Sequence, residues 1–291
     1  MWVFAFLVGL FSGAISGMIS VGGSIIVTSM LILFSALYNW DFNMKQIVTT
    51  TAFYTLITTI SGTIYFWLNK LVVKKIVVFF GIPAVISSLA SSLLANSADD
   101  NWLQGVFAFF SLLAALAIIL PEKNRDQQDH ASFPYFTSIL LSLIVGAVGG
   151  MIGVAAGFLY MPIFLRLFHL KVRQAVGTGM VVGGMLCVGT ILGKLGGDYI
   201  RMDVILPLGI SGIVGVLIGG KLTSFIKDKW LNLLMCIIIA AIAVQTIFVF
   251  MADSLMISLP IVITATLLLS GIFLWLIFAL NPSFAKREGR S

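Results

Sequence analysis

Charge is scarce in this chain. Charged side chains make up 10% of the 291 residues, hydrophobic ones 60%, and the mean hydropathy is +1.12. Too little polar surface exists to face water on all sides, so lipid must cover most of the molecule. No Asp or Glu lies deep inside any long apolar run, where proton- and sodium-coupled carriers typically bury one, so coupling to a cation is not visible. Also missing are a GxxxxGK[ST] phosphate loop, an HExxH pair and paired catalytic carboxylates. Neither ATP-driven work by this chain alone nor membrane hydrolysis has residues to carry it; no enzyme and no cofactor is expected. The two cysteines, Cys187 and Cys236, sit in apolar runs without CxxC or CxxH neighbours and read as packing residues. His130 and His169 stand too isolated to build a metal site.

What the chain does have is apolar length. Runs at about 2–20, 24–38, 46–68, 76–95, 102–120, 135–153, 157–168, 174–193, 204–224, 230–252 and 257–280 recur between polar breaks. Most are near or above the roughly 18 residues that cross about 30 Å of hydrocarbon as a helix. They lack the apolar and polar alternation of lipid-facing strands. The fold class is therefore an all-α, polytopic membrane helical bundle. The first run lacks a basic leader and a small-residue cleavage site, so it is kept as mature protein. The net charge of +6 sits in short loops rather than on one face, which reads as topology-setting charge and not as a nucleic-acid surface. The lipid bilayer is the partner implied; the residues do not specify an oligomeric state.

The chain is duplicated. Gly13-Ala14-Ile15-Ser16-Gly17-Met18-Ile19-Ser20-Val21 matches Gly146-Ala147-Val148-Gly149-Gly150-Met151-Ile152-Gly153-Val154. Further on, Lys45-Gln46-Ile47-Val48-Thr49-Thr50 matches Arg173-Gln174-Ala175-Val176-Gly177-Thr178, Gly62 matches Gly189, Gly81 matches Gly209, and Trp102 matches Trp230. Composition explains chance apolar matches but not collinear Gly, Gln, Thr and Trp. The expected organisation is a first membrane repeat at 1–120, a polar cytoplasmic connector at 121–134, a second repeat at 135–252, and an additional C-terminal transmembrane helix with a basic tail at 253–291. If the first two runs of each half enter and leave on one side, the halves are inverted. Fourteen of the seventeen Lys and Arg then fall on one side, leaving only Lys45, Lys194 and Arg201 on the other. Counting each opening pair as one crossing splits the basic residues seven to ten, which no positive-inside rule produces. The expectation is two inverted repeats in the cell inner membrane, with the N-terminus outside and the C-terminus cytoplasmic.

Each half opens with a broken helix or hairpin, at Ser20-Val21-Gly22-Gly23-Ser24 and at Gly153-Val154-Ala155-Ala156-Gly157. At such a break the second helix starts in the protein interior, and its free N–H groups carry roughly half a positive charge. Inverted repeats with broken helices place substrates near the midplane. Hairpins entering from opposite sides can bring their two tips face to face, and that geometry favours a small anion. The candidate binding residues are Ser20, Gly22, Gly23, Ser24, Gly153, Ala156 and Gly157, joined by the hydroxyls of Thr50 and Thr178. On this reading a side chain added at Gly23 or Gly157 covers the donors. The bland alternatives are close packing for the glycines and back-bonding to their own helix for the threonines. Lys194, beside Gly193 and Gly196-Gly197, is either a gate that attracts anions or a lysine that snorkels.

The duplicated small-residue motif followed by an apolar run, with Met161-Pro162 after the second copy, resembles the TauE/SafE-type sulfite exporter family over essentially the whole chain. Gly13, Gly17, Gly22, Gly23 and Gly146, Gly150, Gly153, Gly157 sit on the family's glycine pattern and Pro162 on its proline position. Ser24 stands where a third glycine is common, Ser29 where the first-half proline would be, and Ala155-Ala156 where the second half carries glycines. The resemblance implies a secondary transporter or facilitator that exports a small sulfur-containing or organic anion, such as sulfite or sulfoacetate. The competing class is a non-transporting membrane component that anchors or helps assemble a partner complex; flux through purified protein in liposomes separates the two.

Overall fold

The computed structural model describes residues 2–20, 22–38, 42–99, 135–153, 155–197 and 199–226, with single positions and pairs between 102 and 113 and the pair 230–231. The expected connector at 121–134, most of the runs at 102–120 and 230–252, and the C-terminal segment 253–291 lie outside the described residues. All regular structure within them is helical: α1 (Trp2–Ile19), α2 (Gly22–Tyr38), α3 (Met44–Leu68), α4 (Lys74–Ala95), α5 (Tyr135–Ile152), α6 (Gly157–Arg166), α7 (Val172–Lys194) and α8 (Met202–Phe225). Six of these, α1, α3, α4, α5, α7 and α8, are long and apolar enough to cross a membrane. Helices dominate for a physical reason, since in hydrocarbon the backbone has to satisfy its own polar groups within the segment. Inside α4 the turn Val77–Gly81 widens to a π-turn just before Pro83. Proline lacks an N–H and crowds the carbonyl four residues back, and a wider turn relieves both problems.

The first helix of each half packs on the fourth helix of the other. A β-carbon placed at Gly13 would run into the backbone of Gly212, and one at Gly17 into Val216. The same holds for Gly146 on Ala84 and Gly150 on Ser88. In the register of the duplication, where Gly81 matches Gly209, Ala84 is the counterpart of Gly212 and Ser88 of Val216. One contact is therefore built twice. Both pairs run in the same direction, because contacts climb together along the two helices. The matched helices α3 and α7 instead cross head to tail, with Phe66 beside Gly177, Gly62 beside Met180 and Thr59 beside Gly183.

Small residues permit this approach, and hydroxyls then bond across it. Ser88 Oγ donates to Leu186 O at 3.1 Å, Ser92 Oγ to Thr190 O at 2.8 Å, and Thr223 Oγ1 to Gly17 O at 3.2 Å. Each such bond is worth about 0.6 kcal/mol in a membrane. Glycine here is a seam.

The matched Lys45-Gln46 and Arg173-Gln174 also acquire a role. Lys45 Nζ donates to Asn96 O at 2.8 Å, at the C-terminus of α4. Arg173 Nη2 donates to Ser224 O at 3.3 Å and Ile226 O at 3.4 Å, at the C-terminus of α8. Asn96 and Ser224 are themselves counterparts. A cation at the negative end of a helix satisfies orphan carbonyls and meets the dipole favourably. Lys45→Met and Arg173→Met are each expected to cost about 1 kcal/mol of stability in detergent melts. Because the N-termini of α3 and α7 lie at opposite ends of the bundle, the double variant should show additive losses.

Candidate functional site

The two breaks carry the same backbone solution. Ser20 and its counterpart Gly153 both adopt left-handed conformations, with φ of 55° and 71°. Each donates its N–H to the carbonyl four residues back, Ser20 to Ser16 at 2.7 Å and Gly153 to Gly149 at 2.8 Å. Glycine takes this conformation without steric cost; serine does not. In the second half Ala156 is left-handed as well, with φ 50° and ψ 27°, and opens α6 without a side-chain cap. Its carbonyl accepts from Leu159 N at 2.9 Å and Tyr160 N at 3.1 Å. Ala155, Ala156 and Gly157 are all buried, so this helix N-terminus begins in the protein interior as expected.

The breaks converge beside α7. The agent is Tyr160, 1% exposed, whose hydroxyl donates to Gly179 O at 2.9 Å and also approaches Ser20 O at 3.4 Å. A β-carbon at Gly179 would lie 2.8 Å from the Tyr160 ring and 3.0 Å from Ser20 Oγ. At Gly183 it would lie 2.9 Å from Tyr160 Oη and 3.1 Å from Ala155 Cβ. These two glycines keep the room in which the Ser20 break and the Ala155-Ala156 break meet. Sequence reasoning passed over Tyr160. The available signal was its place in the first turns of α6, since helical side chains lean back toward the N-terminus and so over the break.

The other candidates divide. Ser24 is buried in the first turn of α2, which Gly22 opens. Gly23 is a packing residue, because a β-carbon there would lie 2.6 Å from Ser16 Cβ and 3.0 Å from Ser12 O on α1. A larger residue would pry the hairpin apart before it covered any donor. Gly153 packs on Val48 of α3. Thr178 is committed elsewhere, its oxygen accepting the Val73 amide at 3.0 Å across the bundle. Thr49, Thr55, Thr58 and Thr59 bond back to their own helix. Thr51 accepts from Thr28 Oγ1 at 3.1 Å. Thr50 differs: fully buried, its hydroxyl has no hydrogen-bond partner among the described residues.

Lys194 ends α7 at 1% exposure, with its ammonium 5.7 Å from the centre of the Tyr199 ring. A snorkelling lysine would hold that group in water, and this one does not. Arg201, at the start of α8, lies over the Phe42 ring at 4.7 Å and forms an exposed pair with Asp203 at 3.0 Å. That hydrogen bond raises the guanidinium further above its ordinary value. Exposed pairs of this kind contribute little to stability.

Backbone strain at the breaks yields a direct check. Ser20→Gly removes a left-handed serine and is expected to raise stability by about 1 kcal/mol in a detergent melt. Gly153→Ala and Gly23→Val should both lower it, the first through φ and the Val48 contact, the second through α1.

Comparison with known proteins converges on one family. The model of the sulfite exporter TauE/SafE family matches residues 5–246. The chain is 27% identical over 248 residues to the probable membrane transporter protein YjnA of Bacillus subtilis (strain 168), covering 80% of this chain and 94% of the relative. It is 25% identical over 274 residues to the probable membrane transporter protein YunE of the same organism, covering 85% and 97%. A probable membrane transporter protein of Xylella fastidiosa (strain 9a5c) is 23% identical over 179 residues, covering 59% and 67%. No solved structure matches significantly. With duplicated apolar helices, paired interior breaks and a family match over most of its length, this multi-pass membrane transporter belongs to the sulfite exporter TauE/SafE family.

Proposed function

We propose that the protein is a secondary permease or facilitator that exports a small sulfur-containing or organic anion, sulfite or sulfoacetate among them, across the cell inner membrane. The observation that carries this reading is the meeting of two helix breaks around Tyr160, one of them an uncapped, buried helix N-terminus. An ion desolvated inside the bundle loses several kcal/mol of hydration, and amide and hydroxyl donors recover about 1.5–3 kcal/mol each when they bond a charged acceptor. The donors available are the first-turn amides of α6 at Ala156 and Gly157, the first-turn amides of α2 at Gly22, Gly23 and Ser24, and the hydroxyls of Ser20 and Ser24. Thr50, with a buried hydroxyl that no described residue engages, is a second station for the ion. Neutral donors hold an anion without trapping it, which suits a carrier that must also release.

The head-to-tail crossing of α3 and α7 and the twice-built contact of first on fourth helix support inverted halves. With inverted halves, the partition of basic residues argues for an N-terminus outside and a C-terminus in the cytoplasm. Lys194, buried at the outer end of α7, serves as a gate in this scheme.

Two experiments test the reading. Purified protein in liposomes should pass sulfite down its gradient with no nucleotide added; flux that appears only with ATP, or not at all for any small oxyanion, removes it. In a background with Cys187 and Cys236 replaced by alanine, cysteines introduced by Asp99→Cys and Lys70→Cys should label from opposite faces of the membrane. Labelling from one face overturns the orientation.

A further inference from the structure

We infer that the Tyr160 hydroxyl is an anion-binding donor of the transport site, one that switches between a backbone carbonyl when the site is empty and the anion when it is filled. This rests on the permease reading above and adds to it the specificity-determining residue. Tyr160 joins the two breaks: its ring belongs to the second, while its hydroxyl stands at 3.4 Å from Ser20 O of the first. The phenol has a single proton and two carbonyls in front of it, Gly179 O at 2.9 Å and Ser20 O at 3.4 Å. The proton serves one of these carbonyls at a time, and a better acceptor can outbid either. A charged acceptor binds a donor about twice as strongly as a neutral one.

The ring is kept in place independently of that proton. It stacks on Phe164 at 5.1 Å and 26°, Phe164 meets Phe80 edge-on at 5.2 Å, and Gly179 and Gly183 provide the slot beside it. Rotation of the hydroxyl alone then suffices to redirect the donor, with no movement of the ring. The direction available to it is the break itself, because Ala155 shares the Gly183 slot with Tyr160 Oη and leads into the uncapped amides of α6. The phenol oxygen and Ala155, one residue before the cap that starts the second break's helix, thus lie on the same side of the Gly183 slot. The ligand class that fits is a compact oxyanion with several acceptor oxygens, which can take a phenol and amides together, rather than a halide.

Tyr160→Phe keeps the stack and deletes the donor. In liposomes the expected result is a KM for sulfite raised about ten-fold or more, with kcat within about two-fold of wild type; without ligand the melting temperature falls only by what one buried hydrogen bond contributes. Selectivity is the readout that a merely structural role would not move: the variant's preference for sulfite over chloride should fall, and sulfite should no longer raise its melting temperature as it does for wild type. If wild type carries sulfite and Tyr160→Phe carries it with the same KM and the same selectivity, the switch is refuted while the permease stands. If wild type carries no small anion, the permease reading fails and takes the switch with it.

Discussion

Backbone-to-backbone approach is the interaction on which this bundle depends. In lipid no hydrophobic effect drives helices together, because a neighbour's side chains are no more apolar than the acyl chains they displace. Attraction has to come from dispersion at short range and from bonds between polar groups that cannot find water. Gly13 on Gly212 and Gly146 on Ala84 bring carbonyls and Cα atoms near contact. Thr223 can then reach Gly17 O, and where Gly189 lets α7 lie against α4 in the same way, Ser88 reaches Leu186 O. With these seams closed, α3 and α7 are held against each other along the centre, and both breaks are pushed toward α7.

The same small residues serve two ends that compete. Interior breaks need backbone free of side chains so that amides can meet a ligand, and seams need it so that helices can meet each other. The structure divides the work by position. Gly23 and Gly153 face a helix and are used for packing; Gly179 and Gly183 face the Tyr160 ring and keep a slot open. A glycine pattern in a membrane sequence therefore does not by itself mark a binding surface, since the use of each glycine depends on what lies opposite.

Much of the architecture was legible in the residues. Helix existence, the short opening pairs and the duplication all follow from hydropathy and collinear matches, and the described helices α1 to α8 start and stop within about two residues of the apolar runs. Collinear matching also paired Ser20 with Gly153, which the structure shows in the same left-handed conformation. What it could not supply was the partner of each side chain. Thr50 and Thr178 look equivalent in sequence, yet one oxygen accepts the Val73 amide and the other meets no described partner. That difference arises in the turns that follow α3 and α7, which differ in length and lie far from either threonine along the chain. Tyr160 was invisible for a related reason: one aromatic among the chain's twelve per cent carries no local mark of a long-range bond.

Tyr160 also breaks the duplication. In the register of the repeat its counterpart is Val27, a fully buried residue with nothing to donate. Exchanging the halves would exchange a phenol for an isopropyl group, so the hydroxyl that reaches Gly179 O and Ser20 O belongs to one half alone. The hydrogen bond it makes inside the bundle has no twin across the repeat.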